Sequence, residues 1–74
     1  MSRFNVYYAS VGGLSTPRWM PQVTGLDAET PSIAVLKAFG TDQFELCEYL
    51  EPCMRYMTIN VRTMERTYFK QIYQ

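Results

Sequence analysis

Residues 30–40, Thr-Pro-Ser-Ile-Ala-Val-Leu-Lys-Ala-Phe-Gly, constrain this chain most, because the segment carries both its own start and its own stop. The Thr30 side chain can accept a hydrogen bond from an amide of a first helical turn, and Pro31 fits the first helical position, where no N–H is needed. Gly40 can adopt the left-handed conformation that ends a helix without a Cβ clash. Between them runs the most concentrated aliphatic stretch of the chain, with Lys37 as its single charge. A helix this apolar has to lie against something, and the flanking sequence reads as strands. The expectation is a single small α+β domain spanning residues 1–74. Its antiparallel sheet consists of an N-terminal and a C-terminal β-hairpin, covered by a helix at residues 30–40.

Residues 3–10 alternate, with Phe4, Val6 and Tyr8 on one face and Arg3, Asn5 and Tyr7 on the other. That period belongs to a half-buried strand. Residues 11–17, with two glycines, hydroxyls and Pro17, read as a loop. Residues 18–26 make a poorer strand, and Pro21, which cannot donate to a ladder, assigns it to a sheet edge. Residues 55–63 give the clearest strand, with Met57, Ile59 and Val61 expected inward and Tyr56, Thr58, Asn60 and Arg62 outward. A turn at 64–66 leads into a last strand at 67–73, in a register that sets Phe69 opposite Val61 and Lys70 opposite Asn60.

Residues 42–51 fit either a second short helix or an extra strand. Asp42 and Glu45 have capping-box spacing, Pro52 stands where a helix would stop, and the run has no β-branched residue. As a strand it would fold back through Pro52-Cys53, with Phe44 against Val61 and Leu46 against Ile59. The helical reading is preferred.

A chain of 74 residues buries only ~60% of its unfolded surface, so its core is small. Such domains often gain stability from a disulfide, a metal or a partner subunit. This one has no His, and two cysteines do not make a zinc site. Self-association, or docking on a larger protein, is therefore expected. With 47% apolar and 19% charged residues, the composition is that of a folded protein. Seven basic and seven acidic residues cancel, and that balance disfavours a dedicated nucleic-acid or membrane binder. No stretch reaches the ~18 apolar residues of a membrane span, and the first residues do not resemble a signal peptide. A cytoplasmic location with reduced cysteines is expected.

No constellation points to catalysis, a metal or a cofactor. Cys47 and Cys53 lack redox-motif spacing, and without His neither has its usual activating base, so both read as structural. Asp42, Glu45, Glu48 and Glu51 recur every third residue, which spreads them over about half of a helix circumference rather than on one ion. They read as a solvated or protein-contacting acidic surface. Arg18, Trp19 and Met20, between Pro17 and Pro21, form the best contact element, since all three types are enriched at interface cores. Tyr56, Asn60, Arg62, Arg66, Tyr68 and Lys70 interleave basic and aromatic groups in the C-terminal hairpin, as in single-strand nucleic-acid platforms.

The expected function is a non-enzymatic protein-binding module, an inhibitor or accessory factor acting by surface occlusion. The alternatives are nucleic-acid contact through the C-terminal hairpin and a structural subunit of a self-assembling particle. In size and texture the chain resembles small phage- or mobile-element-encoded proteins, anti-CRISPR proteins among them. That resemblance implies a role in binding and blocking or retuning a host protein.

Overall fold

The helix forms where its caps place it. The computed structural model describes residues 1–10, 18–47 and 54–72, and in it α1 runs Pro31–Phe39. Thr30 is extended and its Oγ1 accepts from the Ile33 amide at 3.2 Å. Gly40 is left-handed (φ +68°) and donates to Leu36 O at 2.8 Å. The helix is anchored sideways as well: Lys37 Nζ donates to the Asp27 carbonyl at 3.1 Å.

The described strands are β1 (Ser2–Ser10), β2 (Arg18–Ala28), β3 (Phe44–Leu46), β4 (Met54–Asn60) and β5 (Arg66–Gln71). They form one antiparallel sheet in the order β2-β1-β4-β5-β3. The protein is therefore α+β, with a five-stranded antiparallel sheet and one described helix. β2 lies at the edge, where Pro21 costs the ladder nothing. Its pairing with β1 slips twice, between Phe4 and Val6 and between Val6 and Tyr7. Each slip inserts one residue into β2, so its inward side chains fall at Met20, Val23, Leu26 and Ala28 rather than at strict alternation. Gly25 makes the first slip feasible: it is left-handed (φ +67°), and its N–H donates to Asn5 Oδ1 at 3.0 Å.

Ala34 and Val35 of α1 pack with Phe4, Val6, Ala28, Tyr56 and Phe69 in one buried cluster, flanked by Tyr8, Val23, Leu26, Phe39 and Phe44. Aromatic rings fill the end of this core near the helix C-terminus. Phe39 lies 4.6 Å from Tyr56 between ring centroids, Phe44 lies 5.3 Å from Phe69, and Tyr8 meets Phe39 edge-on at 6.3 Å.

Three expectations need correction. Within 42–51, the residues at 44–46 are a strand, and it pairs with β5 rather than β4. Both sides of β4 are already taken, by β1 and β5. Residues 48–51 of that segment lie outside the described residues, as do residues 11–17, expected as a loop, and Pro52-Cys53, expected as a turn. Second, the C-terminal hairpin closes earlier than expected, with Ile59 opposite Arg66 and Met57 opposite Tyr68. Asn60 causes this: its Oδ1 accepts from the amides of Arg62 and Thr63, and its carbonyl accepts from Met64. An asparagine that binds its own following backbone starts a turn where it stands. Third, β4 is inverted. Tyr56 and Thr58 are buried on the helix side, opposite Tyr8 and Val6, and Met57 points to the other face. Pairing with β1 decides this, because directly paired residues share a face and β1 already commits Val6 and Tyr8 to the core.

Candidate functional site

The sheet has a second face, and no described helix or strand lies over it. Strand alternation and register place Asn5 and Tyr7 of β1, Met57 and Ile59 of β4, and Arg66 and Tyr68 of β5 on this side. Trp19 joins them from β2 through its pairing with Ala9. At the far edge Glu45 of β3 pairs with Lys70 of β5.

The centre of this face is a ring pair. Trp19 on β2 and Tyr68 on β5 are separated by two whole strands, about 14 Å at ordinary strand spacing. Their ring centroids are nevertheless 5.9 Å apart, tilted by 46°. Both side chains must lean inward across β1 and β4 to meet. They pass over Ala9, which pairs with Trp19, and Met57, which pairs with Tyr68. These two are only 5% exposed, yet neither belongs to the helix-side core. A small second apolar cluster thus sits under the aromatic pair.

Polar groups surround it. Arg55, at a bulge in the β4–β5 pairing, donates from Nη1 to the Ala9 carbonyl at 2.9 Å, which brings a half-buried guanidinium to the residue that pairs with Trp19. Arg66 is exposed two residues before Tyr68. Neither arginine has a carboxylate partner among the described residues. Ion pairs mark the two margins: Arg3 with Asp27 at 3.3 Å toward β2, and Lys70 with Glu45 at 3.1 Å toward β3.

The contact candidates are only partly gathered here. Trp19 lies on this face, while Arg18 and Met20 alternate to the opposite side, so the three do not form one contact element. Of the hairpin set, Arg66, Tyr68 and Lys70 share the second face at two-residue spacing. Tyr56 is instead part of the core, the side-chain oxygen of Asn60 is spent on its turn, and Arg62 lies in that turn. Asp42 is exposed, with its Oδ1 accepting from Gln43 Nε2, and Glu45 is held by Lys70. Glu48 and Glu51 lie outside the described residues, as does Cys53. Cys47 is half-buried and its backbone amide donates to Tyr68 O.

Tyr7 and Arg55 were not anticipated. The alternation of residues 3–10 already separated Tyr7 from the core residues, but only the strand order shows that it faces Met57 and Tyr68. Among the described residues no helix is long and apolar enough to cross a membrane, and no cluster of metal-ligating side chains occurs. Comparison with protein-family models, curated proteins and solved structures gives no match.

Proposed function

We propose that this protein is a non-enzymatic binding module that docks the helix-free face of its sheet on a larger protein, and acts as an inhibitor or accessory factor by occluding that partner's surface. The Trp19–Tyr68 pair carries the reading: two rings lean across two strands to build a partly exposed aromatic centre on a face with no described layer above it. Trp, Tyr and Arg dominate interface hot spots, and an apolar centre inside a polar rim is the usual anatomy of a protein contact. Here Tyr7, Trp19 and Tyr68 supply the centre, and the Arg3–Asp27 and Lys70–Glu45 pairs supply the rim.

The test is affinity capture from the native host with the wild-type chain, Trp19→Ala and Leu36→Ala. Leu36 is exposed on α1, away from this face. Trp19→Ala should lower affinity for the captured partner by about 2 kcal/mol while circular dichroism remains that of the folded chain. Leu36→Ala should leave capture unchanged. Loss of the partner with Leu36→Ala, and retention with Trp19→Ala, would move the interface to the helix.

A second reading rests on one observation, the two-residue spacing of Arg66, Tyr68 and Lys70 on the same face. Cations flanking a ring along a strand suit single-stranded nucleic acid. Binding of that kind would weaken steeply with salt and fall when Arg66 and Lys70 are both neutralised.

A further inference from the structure

The rim of the second face bears on what it binds. Four cations stand on or at this face, Arg3, Arg55, Arg66 and Lys70, against the carboxylates of Asp27 and Glu45. Among the described residues the face is thus net positive, with four cations to two carboxylates. The cations differ in how they are held. Arg3 and Lys70 bring their own carboxylates, whereas Arg55 and Arg66, on either side of the aromatic centre, have none among the described residues. A half-buried guanidinium that among the described residues bonds only a carbonyl keeps donors in a planar fork that matches a carboxylate bidentately.

Two features separate a carboxylate partner from a phosphodiester strand. Asp27 and Glu45 stand at opposite margins of the sheet and each neutralises the cation beside it, so a polyanion crossing the strands gains no net attraction at either margin. The Trp19 and Tyr68 rings are also turned toward each other, tilted and 5.9 Å apart, rather than offered as separate platforms for successive bases. A folded protein surface tolerates a mixed rim, because its own cations can face Asp27 and Glu45.

We infer that the occupant of the helix-free face is an acidic protein surface whose carboxylates engage Arg55 and Arg66 around an aromatic or apolar knob seated on Trp19 and Tyr68. This inference rests on the reading of that face as a docking surface. Trp19 is the single tryptophan of the chain, so its fluorescence reports on the site directly. The experiment titrates the full chain with three probes: a glutamate–tyrosine copolymer, a lysine–tyrosine copolymer and oligo(dT). The acidic copolymer should shift Trp19 emission, and Arg66→Gln, at an exposed position, should raise the midpoint about tenfold, equivalent to ~1.4 kcal/mol. Arg55→Lys, which keeps the charge and loses the planar fork, should raise it less. A shift with oligo(dT) or the basic copolymer but not with the acidic one overturns the inference and leaves the docking face standing. Equal midpoints for wild type and Arg66→Gln also overturn the inference. No response to any probe overturns the inference and the docking reading together.

Discussion

The two faces of the sheet are built from neighbouring residues and organised in opposite ways. On the helix side, aromatic rings of Tyr8, Phe39, Phe44, Tyr56 and Phe69 close one end of a core that already holds Val6, Ala34 and Val35. On the other side a single ring pair, Trp19 and Tyr68, bridges Ala9 and Met57 and is bounded by charge. Phe69 and Tyr68 are consecutive, yet Phe69 is 1% exposed and Tyr68 is only partly buried. The division between the two faces thus separates residues that hold this domain together from residues that the described fold leaves uncovered.

Its sharpest test is that adjacent pair. Phe69→Ala should remove about 3–5 kcal/mol, most of what a domain of this size has to lose, and should leave the chain largely unfolded. Tyr68→Ala should cost no more than about 1–2 kcal/mol, because the ring it removes keeps one side toward solvent. Urea unfolding followed by circular dichroism measures both. Similar midpoints for the two variants would mean that the second face is core as well, and the division between the faces would fail.

How much of this division could be read from the sequence depends on the range of the signal. The helix was legible to the residue, because Thr30, Pro31 and Gly40 act on backbone within one turn of themselves. The inward set of β1 and the edge position of β2 were legible too, through two-residue alternation and Pro21. The faces of β4 were not. Met57-Ile59 and Tyr56-Thr58 are both apolar enough to be buried, and only pairing with Val6 and Tyr8 breaks the tie. The second face is therefore invisible to local reading: Tyr7, Trp19, Arg55 and Tyr68 come together through strand order across 61 residues of sequence from Tyr7 to Tyr68.

The helix end offers a smaller, one-sided perturbation. Gly40 is left-handed with open space around it, so Gly40→Ala meets no steric neighbour and costs only the backbone strain, about 1–2 kcal/mol. Because α1 packs on one face, this variant should lower the urea midpoint without changing Trp19 emission in the folded chain. A spectral change at Trp19 would show that the two faces are mechanically coupled. Thr58 tests the packed face in the opposite direction. It is 0% exposed, and its Oγ1 has no hydrogen-bond partner among the described residues. Replacing the hydroxyl with a methyl, Thr58→Val, should stabilise the domain by about 1 kcal/mol, since a buried unsatisfied donor is removed at nearly constant shape. A lower midpoint would show that the hydroxyl is bonded and contributes to the packed face.

The smallest effects belong to the rim. The Arg3–Asp27 pair is more than half exposed on both sides, whereas Lys70 in the Lys70–Glu45 pair is 31% exposed and the contact is shorter. Exposed ion pairs contribute little because water screens the attraction and two long side chains lose freedom in making it. Asp27→Asn should therefore change stability by less than about 0.5 kcal/mol. The backbone carbonyl that receives Lys37 is kept in that variant, so the helix anchor stays in place. Glu45→Gln should cost somewhat more, because it loosens the three-residue strand β3 at the margin of the sheet. Raising salt should erase the difference between each variant and wild type. If Asp27→Asn proves the costlier change, or if either loss persists at high salt, the pairs are part of the folding core and not a rim. In that case the polar border that distinguishes the second face from the first would have to be redrawn inside Arg3 and Lys70.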